Sequence, residues 1–270
     1  MTTQASTPLR QPVLFLGHGS PMNAIEDNRW SRAFISLAAE LPRPRAILSI
    51  SAHWFIAETA LTDDVRPKTI HDFGGFPPEL YAMQYPAPGD RSLAAHVAQE
   101  LGPDAQLLTD WGLDHGTWSV LCHLFPRADV PVVQLAIDSL KQPAEHLALG
   151  RKLRSLRDEG VLILGSGNIT HNLKHAFQSM HRGDTTTPEW ASRFDSDIAN
   201  AIKQRDDKFL LRALSTPDGR LAHPSADHYL PLLYSYGATD EKDIARYPIQ
   251  GFDFGSLSMR AALWAPGGDD

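Results

Sequence analysis

Short apolar runs alternate along this chain with longer stretches of helical periodicity. The runs are rich in Val, Ile and Leu, end near Gly, Pro or Ser, and cover 13–16, 46–50, 130–137 and 161–164. Each is too short for a helix, and an apolar run without alternation is typical of a strand buried on both faces. The predicted helices cover 29–40, 91–101, 143–158 and 188–205. This order predicts the α/β class, with a mostly parallel central sheet flanked by helices.

The composition fits one globular domain. The chain has 270 residues, of which 42% are hydrophobic and 21% charged, and it contains no internal repeat or low-complexity tract. We therefore expect a single domain over 1–270, with flexible ends at 1–10 and 266–270. Two further strands, 247–254 and 256–264, are expected to pair at an edge of the sheet.

Charge and hydropathy limit the partners of the chain. Lys and Arg number 25 against 32 Asp and Glu, a net charge of -7, so the attraction to phosphate backbones that nucleic-acid binding needs is missing. No apolar run reaches the roughly 20 residues that span a bilayer, which predicts no membrane partner. The single cysteine, Cys122, suits a reducing compartment. We expect a cytoplasmic monomer or small homo-oligomer.

Histidines follow several of the predicted strands. His18 comes directly after 13–16, His53 after 46–50, and His171 after 161–164. Side chains at the carboxyl ends of parallel strands converge at one edge of the sheet, where ligands of open α/β sheets bind. Two further candidates are His228, which precedes a predicted apolar helix, and His115, in a glycine-punctuated loop.

Three imidazoles at one sheet edge predict a metal site. Imidazole suits Zn, Fe, Cu and Ni, and a catalytic site typically has three protein ligands and one open position. A lone histidine after a strand is more often an ordinary loop residue, but the threefold repetition favours the site. The other histidines of predicted helical or solvated segments are expected at the surface: His96, His123, His146, His175 and His181.

Other catalytic motifs are missing from the sequence. No His-Glu-x-x-His helix, nucleophile elbow or phosphate-binding loop occurs. The run Gly165-Ser166-Gly167 lacks the third glycine of a dinucleotide fingerprint, because Thr170 stands in its place. A nucleotide cofactor is therefore unsupported.

Taken together, the motifs resemble a known family. The similar segments run in order through nearly the whole chain: 17–23, 51–55, 71–77, 85–89, 111–118, 165–173 and 227–238. In these segments the chain resembles the class III (LigB-type) extradiol ring-cleavage dioxygenases, and within them the DOPA dioxygenase branch. The resemblance implies a single α/β domain that opens a catecholic ring with O2.

The resemblance also implies residue roles. His18 and His53 match the two metal-binding histidines of the family, and His228 matches the position of the third ligand. His171 matches a histidine that is either a further ligand or an active-site base, and His115 matches one that contacts substrate and O2 or shuttles protons. His71 and Phe73 match the loop that lines the substrate pocket. Apart from the resemblance, His223 is a further candidate for substrate binding, or simply the residue before Pro224. A planar catechol could also stack on Phe73, Phe76, Trp54 and Tyr229, although packing of these rings around the loops is an equal alternative.

One departure bears on the metal. The wider superfamily completes its iron site with a glutamate, whereas the matching region here has His228 beside Asp227. The resemblance implies Fe(II) for activity, but an all-histidine site also holds Zn(II), which has no redox chemistry. A purified sample is thus expected to carry either metal.

Two alternatives are compatible with the same histidines. One is a zinc hydrolase or lyase on this scaffold, in which the metal generates hydroxide. The other is a non-catalytic protein that binds a metal or a partner, which predicts no open coordination position and no adjacent pocket.

Overall fold

The computed structural model describes residues 9–267. The strands of this part are β1 (Val13–Gly17), β2 (Ala46–Ile56), β3 (Ala60–Thr62), β4 (Gln106–Leu108), β5 (Val132–Asp138), β6 (Val161–Gly167), β7 (Asp243–Arg246), β8 (Phe252–Asp253), β9 (Leu257–Ser258) and β10 (Ala261–Pro266). The α-helices are α1 (Arg29–Ala38), α2 (Pro78–Tyr81), α3 (Arg91–Leu101), α4 (His115–Leu124), α5 (Pro143–Lys152), α6 (Leu173–Arg182), α7 (Glu189–Gln204), α8 (Asp207–Arg212), α9 (Pro217–Ala222) and α10 (Leu230–Gly237). The 3₁₀ helices are Pro21–Ala24, Leu153–Glu159 and Ala213–Ser215.

One large sheet organises the chain, in the order β4-β3-β5-β2-β6-β1-β10-β7. Its centre, β5-β2-β6-β1, is parallel throughout, and antiparallel pairs occur only outside it, between β1 and β10, β10 and β7, and β3 and β5. The predicted α/β class with a mostly parallel sheet is confirmed.

The pairing expected at the carboxyl-terminal end is partly wrong. Only the short strands β8 and β9 pair with each other, in a separate two-stranded sheet. Between them the backbone reverses through Phe254 and Gly255, both at positive φ. β10 instead lies between β1 and β7, inside the large sheet, because its buried apolar side chains are covered there on both faces.

Two hydrophobic cores cover the two faces of the sheet. Side chains alternate along a strand, so Val13 and Phe15 of β1 enter one core while Leu14 and Leu16 enter the other. Helices α3, α5, α7 and α10 contribute to the first core, and α1 and α4 to the second. This double burial explains why the central strands are continuous apolar runs in the sequence.

The two predicted flexible ends lie mostly outside the described residues. Of their described parts, Arg10 forms ion pairs with Asp158 and Asp240, and Pro266 pairs with Asp243 in the sheet. Among the described helices, the longest has 16 residues, and none is both long and apolar enough to cross a bilayer.

Candidate metal centre

Five histidine rings meet at the carboxyl end of the parallel strands: His18 follows β1, His53 lies in β2, His115 begins α4, His171 follows β6, and His228 precedes α10. The ring centres of His18, His53 and His228 lie 5.0, 5.2 and 5.0 Å apart. The ring centre of His115 is 3.8 Å from that of His53, and the ring centre of His171 is 3.4 Å from that of His228. Residues up to 210 positions apart in the sequence, 228 minus 18, therefore form one cluster.

His53 reaches this cluster from an irregular part of β2. The pairing of β2 with β5 is regular up to Ile50 and resumes at Phe55 after a shift in register, so β2 carries extra residues in between. Such a bulge bends the strand and redirects its side chains, and bulges are common beside active sites.

The tautomer of His18 follows from a hydroxyl group. Ser166 Oγ has one proton, which it donates to the carbonyl oxygen of Gly116 at 2.5 Å. The same oxygen lies 3.0 Å from His18 Nδ1 and must therefore accept a hydrogen bond from it. A neutral imidazole with a proton on Nδ1 has its lone pair on Nε2.

Carboxylates set the tautomers of three other rings. Asp72 Oδ2 lies 3.2 Å from His53 Nδ1 and 2.9 Å from His115 Nδ1, and Asp227 Oδ2 lies 2.8 Å from His228 Nδ1. An ionised carboxylate only accepts hydrogen bonds, so Nδ1 of His115 and Nδ1 of His228 donate, and the carboxylate beside Nδ1 of His53 favours a proton there; each Nε2 then carries the lone pair. Metal-binding histidines typically have such a partner on the second ring nitrogen.

Burial keeps these imidazoles neutral. The pKa of both His18 and His228 is lowered well below 6.5. Desolvation is the larger cause, and repulsion from the other imidazoles of the cluster adds to it. Burial and the neighbouring His115 lower the pKa of His53 to about 3, and burial with a smaller effect of His223 lowers the pKa of His171 to about 4. At neutral pH their lone pairs are available to a cation.

The nitrogen geometry fits a metal ion. The Nε2 atoms of His18 and His53 are 3.1 Å apart, and with a lone pair on each, these two atoms repel unless a cation lies between them. Two nitrogens at about 2.0–2.1 Å from one tetrahedral or octahedral ion are roughly 3 Å apart. His228 Nε2 is buried and has no hydrogen-bond partner among the described residues. One ring nitrogen each from His18, His53 and His115 also lies within 4.8 Å of the other two.

A further carboxylate, that of Asp114, holds α4 against β2. Asp114 caps α4 by accepting from the Thr117 backbone N–H at 3.2 Å, and it accepts from Ser51 Oγ at 2.6 Å and from Gln134 Nε2. Burial, reinforced by the nearby Asp72, raises the pKa of Asp114 to about 6. These bonds fix the start of α4, and with it His115, beside the bulge of β2.

Gly116 makes this close approach of α4 and β2 possible. A Cβ atom at this position would lie 2.4 Å from Ser51 Oγ and 2.9 Å from His53 Cδ2. Any larger residue would therefore displace the His53 ring.

Aromatic side chains form a wall beside the cluster. The Phe73 ring lies 5.4 Å from His115 and 5.2 Å from Phe76, and the His71 ring lies 5.7 Å from Phe73. His71 Nε2 donates to the carbonyl oxygen of Met83 at 3.0 Å, which holds the ring in place. These edge-to-face contacts suit a flat aromatic ligand.

Three other residues expected near the substrate lie elsewhere. Trp54 is buried and stacks on Trp111 with ring centres 5.7 Å apart. Tyr229 is buried in the first core, and its hydroxyl donates to Leu210. His223 is also buried, and its Nε2 donates to the carbonyl oxygen of Ile169 at 2.7 Å. Stacking of Trp54 and Tyr229 on a substrate is therefore wrong, because both rings are enclosed by the core.

Sequence patterns did not reveal the hydrogen-bond partners of the histidines. These are Asp72, Ser166 and Asp227, and the same holds for Asp114, which fixes the start of α4 through Ser51. Only the position of Asp114, an acidic residue directly before an apolar helix, has a recognisable signal, that of an N-cap. The others are ordinary polar residues whose importance depends on contacts between distant segments.

Comparisons with known proteins identify the family of this chain. Residues 12–253 match the family model described as the catalytic LigB subunit of aromatic ring-opening dioxygenase. The chain is 46% identical to the 4,5-DOPA dioxygenase extradiol of Escherichia coli K12, over 93% of each chain. It is 37% identical to the enzyme of that name from Beta vulgaris, over 91% of this chain and 93% of the relative.

A solved structure is similar along the same length. It is a crystal structure of an uncharacterized protein from Escherichia coli K12, with a TM-score of 0.82 and 40% identity, covering 94% of this chain and 99% of that one. The family match spans most of the chain, and both of these relatives are more than 30% identical to it. The chain therefore belongs to the class III, LigB-type family of extradiol dioxygenases, and it is an aromatic ring-opening dioxygenase.

Proposed function

We propose that this dioxygenase cleaves a DOPA-like catechol beside its two hydroxyl groups. Both atoms of O2 enter the product, a muconate semialdehyde, and the metal in the cell is Fe(II). The names of the curated relatives support the choice of substrate. The observation that carries the proposal is the convergence of Nε2 lone pairs beside an aromatic wall, because a catechol needs both a Lewis acid and a flat apolar surface.

The proposed metal ligands are His18, His53 and His228, each through Nε2. His171 is unsuited to share the ion with His228, because the two rings are stacked 5° from parallel with centres 3.4 Å apart. An ion in the plane of one ring lies well outside the plane of the other, whereas the nitrogen lone pair lies in its ring plane. Bound Fe(II) supplies the redox chemistry that couples the catechol to O2, which Zn(II) lacks.

His115 and His171 are the proposed proton carriers. His115 is suited to accept a catechol proton on Nε2, because Nδ1 already donates to Asp72 and the carboxylate stabilises the resulting imidazolium. His171 stacks on His228, away from His115, and its low pKa favours the neutral imidazole that can accept a proton from a substrate hydroxyl. Imidazoles on two sides can take up the two protons that a catechol loses.

Substrate positioning is assigned to the aromatic wall. The Phe73 ring lies next to His115, where it can contact a flat substrate. The His71 ring packs against Phe73 and restricts the rotation of its side chain. His223 stabilises the site indirectly, because its Nε2 donates a hydrogen bond to the carbonyl oxygen of Ile169, two residues before His171.

An oxygen electrode tests the proposal. The metal is removed, Fe(II) is added without air, and DOPA is then supplied in aerated buffer. Oxygen uptake that matches the substrate consumed, one to one, together with a yellow semialdehyde product, is the expected result. The metal-free protein and the Zn(II)-loaded protein are the controls. No oxygen uptake above these controls, with DOPA and with simpler catechols, contradicts the proposal and favours a hydrolase or lyase.

A further inference from the structure

We propose that Asp72 is a positioning residue that holds two histidines with different tasks in one orientation and one tautomer. This inference rests on the proposed function, in which His53 binds the metal and His115 carries protons. Asp72 contacts neither substrate nor metal in this scheme. It acts through the two imidazoles.

The carboxylate of Asp72 faces three nitrogen atoms. Oδ2 accepts from His115 Nδ1 at 2.9 Å and lies 3.2 Å from His53 Nδ1, while Oδ1 accepts from the backbone N–H of His115 at 2.9 Å. The side chain is only 15% exposed. An ionised carboxylate only accepts hydrogen bonds, so it favours a proton on each Nδ1 that faces it.

Asp72 is shared, whereas the other ring partners are not. Among the described histidine rings, Ser166 forms a hydrogen bond only with His18, and Asp227 only with His228. Within the described residues, Nδ1 of His53 and Nδ1 of His115 have no acceptor other than Asp72. A single side chain thus determines that both rings present Nε2 toward the cluster. Without it, both neutral rings are free to exchange the ring proton between Nδ1 and Nε2.

The segment that carries Asp72 is tied to α4 on both sides. Before it, Ile70 donates its N–H to Leu113 at 2.7 Å and accepts from Trp118 Nε1 at 2.8 Å. After it, Phe73 packs against His115. The same turn of chain therefore fixes the metal ligand, the proton carrier and the aromatic wall, which makes the carboxylate rigid enough to orient two rings.

Histidine NMR of the metal-free protein tests the tautomers directly. The ¹⁵N shifts of wild-type His53 and His115 are expected to show a protonated Nδ1 at pH 7. Asp72→Asn is isosteric and keeps one acceptor oxygen, which the backbone N–H of His115 should take, because that N–H can only donate. The amide N–H₂ then faces both rings, where it cannot accept, so both rings are expected to become mixed tautomers. Asp227→Asn is the matched control and is expected to change His228 alone. Unchanged tautomers of His53 and His115 in folded D72N overturn the proposal, and Asp72→Ala provides the same measurement if D72N does not fold.

A double-mutant cycle separates the two tasks. D72N is expected to weaken Zn(II) binding about 10- to 100-fold in competition with a chelator, through His53, whether or not His115 is present. In the Fe(II)-loaded enzyme at saturating metal, D72N is expected to lower kcat about 10- to 100-fold, but less than about 3-fold in a His115→Gln background. An equal loss of kcat in both backgrounds overturns the role through His115. If the wild type consumes no oxygen with any catechol, the proposed function fails, while the NMR and Zn(II) results still decide the role of Asp72.

Discussion

The imidazole of His171 lies flat on the imidazole of His228, with ring centres 3.4 Å apart and ring planes 5° from parallel. Both rings belong to the same cluster, yet the stacking prevents them from binding the same metal ion. A lone pair lies in the plane of its own ring, so two stacked rings cannot direct their nitrogens at one ion. Of the two rings, His228 also contacts a carboxylate, since its Nδ1 lies 2.8 Å from Asp227 Oδ2.

Replacing the two stacked histidines separately should give different defects. His228→Ala is expected to lose bound metal on dialysis, because it removes an Nε2 that is buried and unpaired. His171→Ala is expected to retain the metal but to lose turnover by roughly 10²- to 10⁴-fold, as for a general acid or base. Metal analysis and oxygen uptake of both variants provide the comparison. Equal metal loss in the two variants would assign His171 to the ligand set.

Replacing His115 tests the proton carrier. His115→Gln introduces an amide of similar length, which does not accept a proton as an imidazole does. The kcat is therefore expected to fall by roughly 10²- to 10⁴-fold. Metal content is expected to stay at the wild-type level, since three other imidazoles remain. Metal loss in this variant would show instead that His115 completes the three-nitrogen group with His18 and His53.

A methyl group at Gly116 should damage the site although no metal ligand is replaced. Gly116→Ala places Cβ 2.9 Å from His53 Cδ2 and 2.4 Å from Ser51 Oγ. Overpacking of this kind costs about 1–3 kcal/mol of unfolding free energy, and the displaced His53 ring should weaken Zn(II) binding. Gly74→Ala is the control for stability and metal affinity, because nothing lies within 4 Å of a Cβ there. Similar Zn(II) affinity in G116A and G74A would mean that the His53 ring tolerates the displacement.

Acid should destabilise the metal-free protein in part through His146. This residue was expected at the surface, but it is buried between α5 and α10, with Nδ1 3.0 Å from the Tyr234 hydroxyl. Burial lowers its pKa from 6.5 to about 4. The unfolded chain therefore binds a proton first as the pH falls, so stability is lost from about pH 6.5 down to pH 4.

Urea unfolding at several pH values measures this contribution. A single such histidine contributes at most about 1.4 kcal/mol per pH unit. His146→Gln is expected to be less stable at pH 7, because the buried Tyr234 hydroxyl loses its imidazole partner. The stability of this variant should fall less steeply between pH 6.5 and 4. The buried site histidines account for the slope that remains. An unchanged slope in H146Q would mean that His146 is protonated in the folded protein at these pH values.

Several features of the protein could be predicted from the sequence. Continuous apolar runs identify strands that are buried on both faces, and β1, β2, β5 and β6 begin at or within two residues of the predicted positions. The placement of His18, His53 and His171 after such runs predicts a common sheet edge. Both inferences depend only on local periodicity and on the rule that parallel strands end together.

Other features depend on contacts between distant segments. Local periodicity indicates whether a side chain is buried, but it does not report where a ring nitrogen points or what accepts its proton. The stacking of His171 on His228, the sharing of Asp72 by His53 and His115, and the burial of His146 all require the packed chain. The sequence by itself determined the sheet and the edge at which the imidazoles gather. Only the tertiary structure decided which nitrogen each ring presents, because hydrogen-bond partners come from other strands and loops.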